Sequence, residues 1–310
     1  MAGEEQVVEE DAVTVVEAER ARLLRLAYRM LGSWTDAEDI VQHTFERWYR
    51  QGEAHRAGIE SPAAWLTTTA SRLCLTFLDS ARVRRERYVG PWLPEPLPAH
   101  LAAGPGPLEQ VTAEEAVSTA LLVVLEALTP AQRVAYVLHE VFGLPYPEIA
   151  GILGRTPEAT RQLASAARRA IRRQRSQPAD PGEHARLVTA FREACRRGDL
   201  EALITVLAPD AVSTSDGGGM RGVARRPVVG ADRVARFLLG SLAKWQPQVG
   251  IETTTVNDRP GLVAVHRAAP GQVIGVVALD TGAGRIRSLW ITMNPDKLRP
   301  WNGLITAGRG

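Results

Sequence analysis

Apolar positions in this chain recur every three or four residues up to about residue 207 and give way beyond it to short β-rich runs. The first helical stripe, Leu23, Leu24, Ala27 and Leu31, ends at Gly32. Thr35 and Glu38 form a Thr-x-x-Glu capping box that opens a second helix, DAEDIVQHTFERWYRQ. Its apolar face is Ala37, Val41, Thr44, Phe45 and Trp48, and its outer face is Asp36, Asp39, Gln42, His43 and Glu46. Ser61–Pro62 opens a third helix, with Leu66, Ala70, Leu73 and Phe77 on the buried side, which runs into the basic segment ARVRRERY. The spacing predicts an all-α domain over 12–88 with one acidic and one basic surface.

Between Tyr88 and Pro107 stand prolines at 91, 94, 96, 98, 105 and 107 and three glycines. They exclude a helix and predict an extended, semi-rigid connection over 89–112. Two readings stand for this segment, a plain interdomain spacer or a docking element, the second because Trp92, within WLPEPL, is costly to leave in water. Helical spacing resumes with Val117, Leu121, Val124 and Leu128. Thr129 caps the next helix with Pro130 at its first position, and Val134, Val137, Leu138 and Val141 form its apolar face. Pro145 and Pro147 break and restart the chain. A short helix, Glu148 to Leu153, turns Ile149, Ala150 and Leu153 inward, Gly154 supplies a tight turn, and Thr156–Pro157 opens a long basic helix. Two helices linked this way, over 113–176, are the outline of a helix-turn-helix. In the long helix Leu163, Ala166, Ala167 and Ala170 are expected inside. Arg161, Ser165, Arg168 and Arg172 line the outer face with Gln162 and Arg169 beside them, and no acidic residue occurs from Ala159 to Ala179. Arginine forks take guanine edges or phosphate oxygens and Gln pairs with adenine, so this face carries the chemistry of major-groove reading.

After the polar link SQPADPGE, residues 183–300 read helix first, then strands. Phe191, Cys195, Leu203 and Leu207 mark helical faces, interrupted by Gly198–Asp199. Ala211–Ser215 alternates as a strand, DGGGM turns, and Gly230–Ala243 is helical. Val249–Val256, Leu262–Arg267, Val273–Leu279 and Ile286–Met293 are strands separated by Asn-Asp, Pro-Gly and Gly-rich turns. Helices against a curved antiparallel sheet make an α+β cone. The chain is therefore expected to be multidomain, with two all-α domains followed by one α+β domain.

Composition adds limits. A formal net charge of +2 says little about partners, but arginine bunches at 82–87 and 161–175. No run approaches the roughly 18 apolar residues of a membrane span, and the N-terminus MAGEEQVVEEDAV is acidic, unlike a signal peptide, so a cytoplasmic location without membrane contact is expected. Cys74 and Cys195 have no metal-ligand spacing around them and read as buried thiols, and no metal or cofactor is expected.

DAEDIVQHTFERWYRQ with SPAAWLTTTASRLCLTFLDSARVRRERY resembles region 2 of bacterial RNA polymerase sigma factors, and Leu128–Gln174 resembles region 4. The pair without an intervening domain resembles the extracytoplasmic-function group. WLPEPL, the pattern F-x-x-A…GDL-x-x-L…LAPDA, DGGGM (one residue from DGGGK) and NPDKL are similar to its subgroup with a SnoaL-like C-terminal extension. The resemblance implies a promoter-specificity subunit whose partners are core RNA polymerase and promoter DNA. Asp36, Asp39, Gln42 and Glu46 would dock on polymerase. Trp65, Arg72, Arg82, Arg84, Arg85 and Arg87 would engage the minus-10 element, and Arg161, Gln162, Ser165, Arg168, Arg169 and Arg172 would read minus-35. Regulatory contacts would join Trp92, Leu93, Pro94 and Glu95 to Asp216, Asn294, Asp296 and Lys297, the extension replacing a separate anti-sigma factor. Met220 removes the cation of DGGGK, which is expected to weaken any charge-based contact there. The cone is a candidate holder of a small-molecule ligand. The rival reading is a one-component DNA-binding regulator fused to a SnoaL-like isomerase, cyclase or hydrolase. It leaves the segment 36–88 without a task, and Asp216, Asp280 and His266 are not spaced as an acid–base dyad, so no enzyme is expected.

Overall fold

The computed structural model of the protein describes residues 2–86, 88–102, 118–174, 180–220, 223–245 and 248–307. The helices in chain order are α1 (Ala2–Leu31), α2 (Trp34–Tyr49), α3 (Glu53–Ala57), α4 (Pro62–Glu86), α5 (Ala99–Ala102), α6 (Thr119–Glu126), α7 (Pro130–Tyr136), α8 (Tyr146–Leu153), α9 (Pro157–Gln174), α10 (Pro181–Arg197) and α11 (Leu200–Val206). Strand β1 (Leu207–Asp216), a short β2 (Val228–Val229) and α12 (Ala231–Trp245) follow. The chain then runs through β3 (Val249–Val256), β4 (Arg259–His266), β5 (Val273–Gly282) and β6 (Arg285–Thr292) to α13 (Arg299–Ala307). No described helix is long and apolar enough to cross a membrane. The chain forms two compact units, one of residues 1–83, 104–110 and 125–170, the other of 84–103, 111–124 and 171–310.

The first unit is helical. α1 ends at Gly32, whose φ of 70° reverses the chain. The cap of α2 is Ser33, not Thr35: the Ser33 hydroxyl accepts from the Asp36 N–H, which starts the helix two residues earlier, while Glu38 accepts from the Trp34 indole. The inner face of α2 is as expected, with Ile40 and Trp34 added. On α4 the buried stripe is Leu66, Ala70, Cys74 and Leu78, while Leu73 and Phe77 are half-buried. α9 shifts in the same way: Thr160, Ala164, Ala167 and Ile171 are buried, and Leu163, Ala166 and Ala170 are half-buried. On α8 Ile152 replaces Leu153 in the core. These corrections share a cause. Apolar or small residues occupy neighbouring stripes of each helix, so spacing alone does not choose between them.

Thr129 and Gln132 complete a reciprocal capping box on α7, which continues through a π-turn, Val137–Val141. Gly154 (φ 63°) ends α8 in the left-handed region, and the Thr156 hydroxyl accepts from the Ala159 N–H to start α9. Val117 lies outside the described residues, and α6 is capped by Ser118.

The second unit holds a six-stranded sheet in the order β2-β1-β6-β5-β4-β3. Its pairings are antiparallel except β1–β6, which is parallel, because β6 returns from the β3–β6 meander to lie beside the strand that entered the sheet. The expected turns are present. Asn257 and Asp258 take φ of 47° and 60° between β3 and β4, and Ala283 and Gly284 take 51° and 73° between β5 and β6. Both faces of the sheet are covered. Leu262, Leu279 and Leu289 pack with Phe191, Val234 and Leu238 from α10 and α12. Val263, Val276 and Ala278 pack on the other side with Leu298 and Trp301. Two covered faces explain why β4 and β5 read as nearly unbroken apolar runs. Cys74 and Cys195 are buried free thiols, and burial pushes the Cys195 thiol up to about 12. Pro98 is followed by a single helical turn, α5, where the proline content had excluded a helix. Among the described residues of the connection, 91–97 holds no helix, while Ala99–Ala102 carries no proline of its own; 103–112 lies outside the described residues.

Candidate functional site

Three groups of side chains carry the candidate chemistry. On α9, Arg161, Gln162, Arg169 and Arg172 are exposed and Ser165 is half-buried. The Arg161 guanidinium lies 5.4 Å from the centroid of Tyr146, which itself stacks on His139 at 4.0 Å. Arg168 turns back to a charge-assisted hydrogen bond with Glu140 of the π-turn. The expected row is thus present, with one arginine already engaged.

On α2, Asp39 and Gln42 are exposed, and Asp36 and Glu46 are half-buried. Gln42 donates to Glu46 at 3.4 Å, and Glu46 also lies 3.8 Å from Arg50. On α4, Trp65 meets Trp48 edge-on at 5.3 Å, and the exposed Arg72 donates to the Gly151 carbonyl at 3.0 Å. Arg82, Arg84 and Arg85 belong to the last turns of α4; their side chains, and Arg87, lie outside the described residues.

The third group lies in the sheet unit, where the segment 88–98 is clasped. Asp216, at the end of β1, is fully buried. One carboxylate oxygen accepts from the Tyr88 hydroxyl and from the Gly218 N–H at 3.1 Å. The other accepts from the Leu93 N–H at 2.9 Å and from Lys297 Nζ at 2.6 Å. Lys297 is 5% exposed, also donates to the Leu93 carbonyl, and sits 3.9 Å from the Trp92 ring centroid and 5.2 Å from that of Tyr88. Burial, then the hydrogen bond and charge of Asp216, push the Tyr88 hydroxyl well above its ordinary value, so it stays a donor. Asn294 donates to the Tyr88 oxygen at 2.9 Å, and its backbone N–H and that of Met293 both donate to the Asp216 carbonyl. A Cβ on Gly218 would meet the Asn294 amide at 2.6 Å, so the glycine is required for the close approach.

Beyond this knot Trp301 donates to the Pro96 carbonyl at 2.7 Å, and Leu97 exchanges hydrogen bonds with Asn257, which also reaches Thr119 at 2.9 Å. Leu93, Pro94, Glu95 and Leu97 are buried. Of the expected contacts, Asp296 stands apart: its exposed carboxylate pairs with Arg299. Among the described residues no group of three or more His, Cys, Asp or Glu is placed to hold a metal ion.

The chain matches known proteins over most of its length. The Sigma-70 region 2 family matches residues 15–84 and the Sigma-70, region 4 family residues 118–171. The sigma factor SigJ of Mycobacterium tuberculosis, an ECF RNA polymerase sigma factor, is 40% identical over 301 residues, covering 92% of this chain and 92% of that protein. The probable ECF sigma factor SigI of the same species is 38% identical, covering 94% and 96%. The crystal structure of M. tuberculosis SigJ aligns with a TM-score of 0.73 at 37% identity, over 93% of this chain and 98% of that one. The chain belongs to the extracytoplasmic-function RNA polymerase sigma factors. This sigma factor therefore recognises promoters with core RNA polymerase and directs transcription initiation, and its C-terminal unit is a SnoaL-like domain with an open sheet. The rival reading, a DNA-binding regulator fused to an enzyme, is not favoured by relatives that are sigma factors over nearly their full length. Sequence reasoning missed Tyr88, Asn257 and Trp301 of the sigma factor's clasp. A tyrosine at the start of a proline-rich segment and an asparagine in a hairpin turn carry no local signal for partners 128 and 160 residues away.

Proposed function

We propose that this sigma factor reads its promoter, in the cytoplasm, through two separate helical faces. The α9 face, Arg161, Gln162, Ser165, Arg168, Arg169 and Arg172, meets the minus-35 element. Trp65, Arg72 and the arginines ending α4 meet the minus-10 strand, where phosphates take the guanidinium groups. The outer face of α2, Asp36, Asp39, Gln42 and Glu46, docks on core polymerase. The observation that carries this reading is the row of exposed arginine and glutamine on a capped helix that has no acidic residue of its own beyond its first turn. Arg168 exchanges Glu140 for DNA when the helix docks. The test is the double variant Arg161→Ala/Arg168→Ala, expected to abolish run-off transcription while core polymerase still pulls the protein down. Unchanged transcription would sink the minus-35 assignment.

The SnoaL-like domain, on this reading, serves as a built-in regulator without a separate anti-sigma factor. Asp216, Asn294 and Lys297 grip Tyr88, Trp92 and Leu93 of the connection between the two DNA-reading regions, and so govern the slack available to it. The domain acts by binding, not by bond chemistry. The fully buried carboxylate of Asp216 has both oxygens occupied by this grip.

A further inference from the structure

The sequence Leu144-Pro145-Tyr146-Pro147 leaves Tyr146 little freedom. Each proline locks its own φ, and a residue before proline is restricted as well. Tyr146 therefore enters α8 as its first residue with the backbone constrained on both sides. Its ring stacks on His139, with centroids 4.0 Å apart and planes 28° from parallel. His139 is fixed in turn. A carbonyl only accepts, so Nδ1 carries the proton and donates to the Leu144 carbonyl at 2.9 Å. The π-turn Val137–Val141 widens the helix here, and from it His139 reaches Tyr146 while the next residue, Glu140, reaches Arg168. One turn thus braces two arginines of the α9 row. It holds Arg168 directly, and it holds Arg161 through the tyrosine ring, whose centroid is 5.4 Å from the guanidinium.

We infer that Tyr146 is a positioning residue for promoter recognition, its ring holding the exposed Arg161 guanidinium in the orientation that reads a minus-35 base. This role rests on the assignment of α9 to the minus-35 element. A free arginine side chain has many rotamers to lose when it grips a base, and one already stacked on a ring has fewer. An aromatic ring engages the face of a guanidinium and leaves its N–H edge free, and that edge is what pairs with guanine O6 and N7. Losing the ring therefore costs discrimination at the bases Arg161 reads. Contacts made to phosphates by the other arginines of the row stay as they are.

The test uses holoenzyme, the full chain with core polymerase. Wild-type holoenzyme selects a promoter from DNA with both elements randomised. The minus-35 positions of that promoter are then changed singly and scored by run-off transcription. Arg161→Ala marks the positions that Arg161 reads, by removing the discrimination there. At those positions Tyr146→Leu is expected to lose about 2- to 5-fold in discrimination, the size of an exposed cation–π contact. Tyr146→Phe, which restores the ring, should restore the discrimination. Tyr146→pentafluorophenylalanine keeps the shape of that ring but withdraws the negative charge from its face. It should lose discrimination as the leucine variant does, and it decides the matter if leucine unfolds the region. In the Arg161→Ala background neither change should add anything. Full discrimination with the fluorinated ring, a loss spread evenly over all minus-35 positions, or an equal loss without Arg161 overturns the role of Tyr146 while leaving minus-35 reading by α9 in place. No discrimination lost in Arg161→Ala would overturn the minus-35 assignment itself, and this role with it.

Discussion

Asp216 and Lys297 form an ion pair that is almost dry, 0% and 7% exposed at the side chain, and every lone pair the carboxylate directs at the connection is used. A pair of this kind adds modest net stability when intact and is costly to break on one side, by about 3–5 kcal/mol, because the remaining charge stays buried. Lys297→Met is therefore expected to lower the unfolding free energy of the full protein by that amount, read from its urea midpoint. Pairing it with Asp216→Asn should recover part of the loss. If Lys297→Met unfolds like the wild type, the clasp is not a buried ion pair in solution. The two residues lie 81 positions apart, so nothing in their neighbourhoods announces the contact. They were legible only because DGGGM and NPDKL resemble motifs seen elsewhere. The cation that DGGGM lacks at Met220 was expected to weaken a charged contact at that point. The structure supplies the charge from Lys297 instead and leaves Met220 beside a cavity of the sheet unit.

At the scale of elements, strands and turns were more legible than helix faces. β3 begins and ends where its β-branched run does, and the Asn257–Asp258 turn adopts the positive φ that Asn and Asp tolerate. Helix faces slipped by one stripe on α4 and α9, where alanine and leucine fill adjacent rows. Attachment of helix to sheet was not legible, and His184 is an example. It is 3% exposed, with Nε2 2.9 Å from the Pro260 carbonyl and Nδ1 2.8 Å from the Thr281 hydroxyl, so it ties the first turn of α10 to β4 and β5. The carbonyl requires Nε2 to carry the proton, which leaves Nδ1 to accept from Thr281 in the neutral ring. Burial lowers the His184 pKa below its ordinary 6.5. A base whose folded pKa is depressed stabilises fully above the unfolded value, and that contribution is lost as pH falls through the folded one. Unfolding free energy should therefore decline below about pH 6.5, by at most about 1.4 kcal/mol per pH unit from this group. His184→Gln should flatten that decline. A variant with the same pH slope as the wild type would exclude His184 as its source.

At the scale of the whole molecule, a sigma factor has to present region 2 and region 4 to separate promoter elements, yet in the helical unit the two blocks pack on each other. Arg133, 3% exposed on α7, donates to the Met30 carbonyl at 2.9 Å as well as to Glu126 at 2.7 Å. The Arg29 guanidinium lies 5.7 Å from the Phe142 ring, and Arg72 reaches Gly151. Spacing and charge gave no warning of this packing, because arginines on amphipathic helices ordinarily read as solvated. Burial pulls the Arg133 pKa down to about 10, so it is still charged at neutral pH, but its desolvation offsets much of what its two partners return. A tie so balanced is suited to being given up when polymerase takes hold of each block. Arg133→Met keeps the apolar stem and removes the bond to Met30, while Glu126→Gln weakens only the ion pair within the region 4 block. If the tie holds the blocks together, Arg133→Met should enlarge the radius of gyration of the free protein in X-ray scattering. It should also tighten core polymerase binding by about 3- to 10-fold, the worth of one hydrogen bond no longer lost on opening. Glu126→Gln should do neither. Equal scattering and equal core affinity in both variants would mean that opening is governed by other contacts of the unit, and that Arg133 only secures α7 to α6.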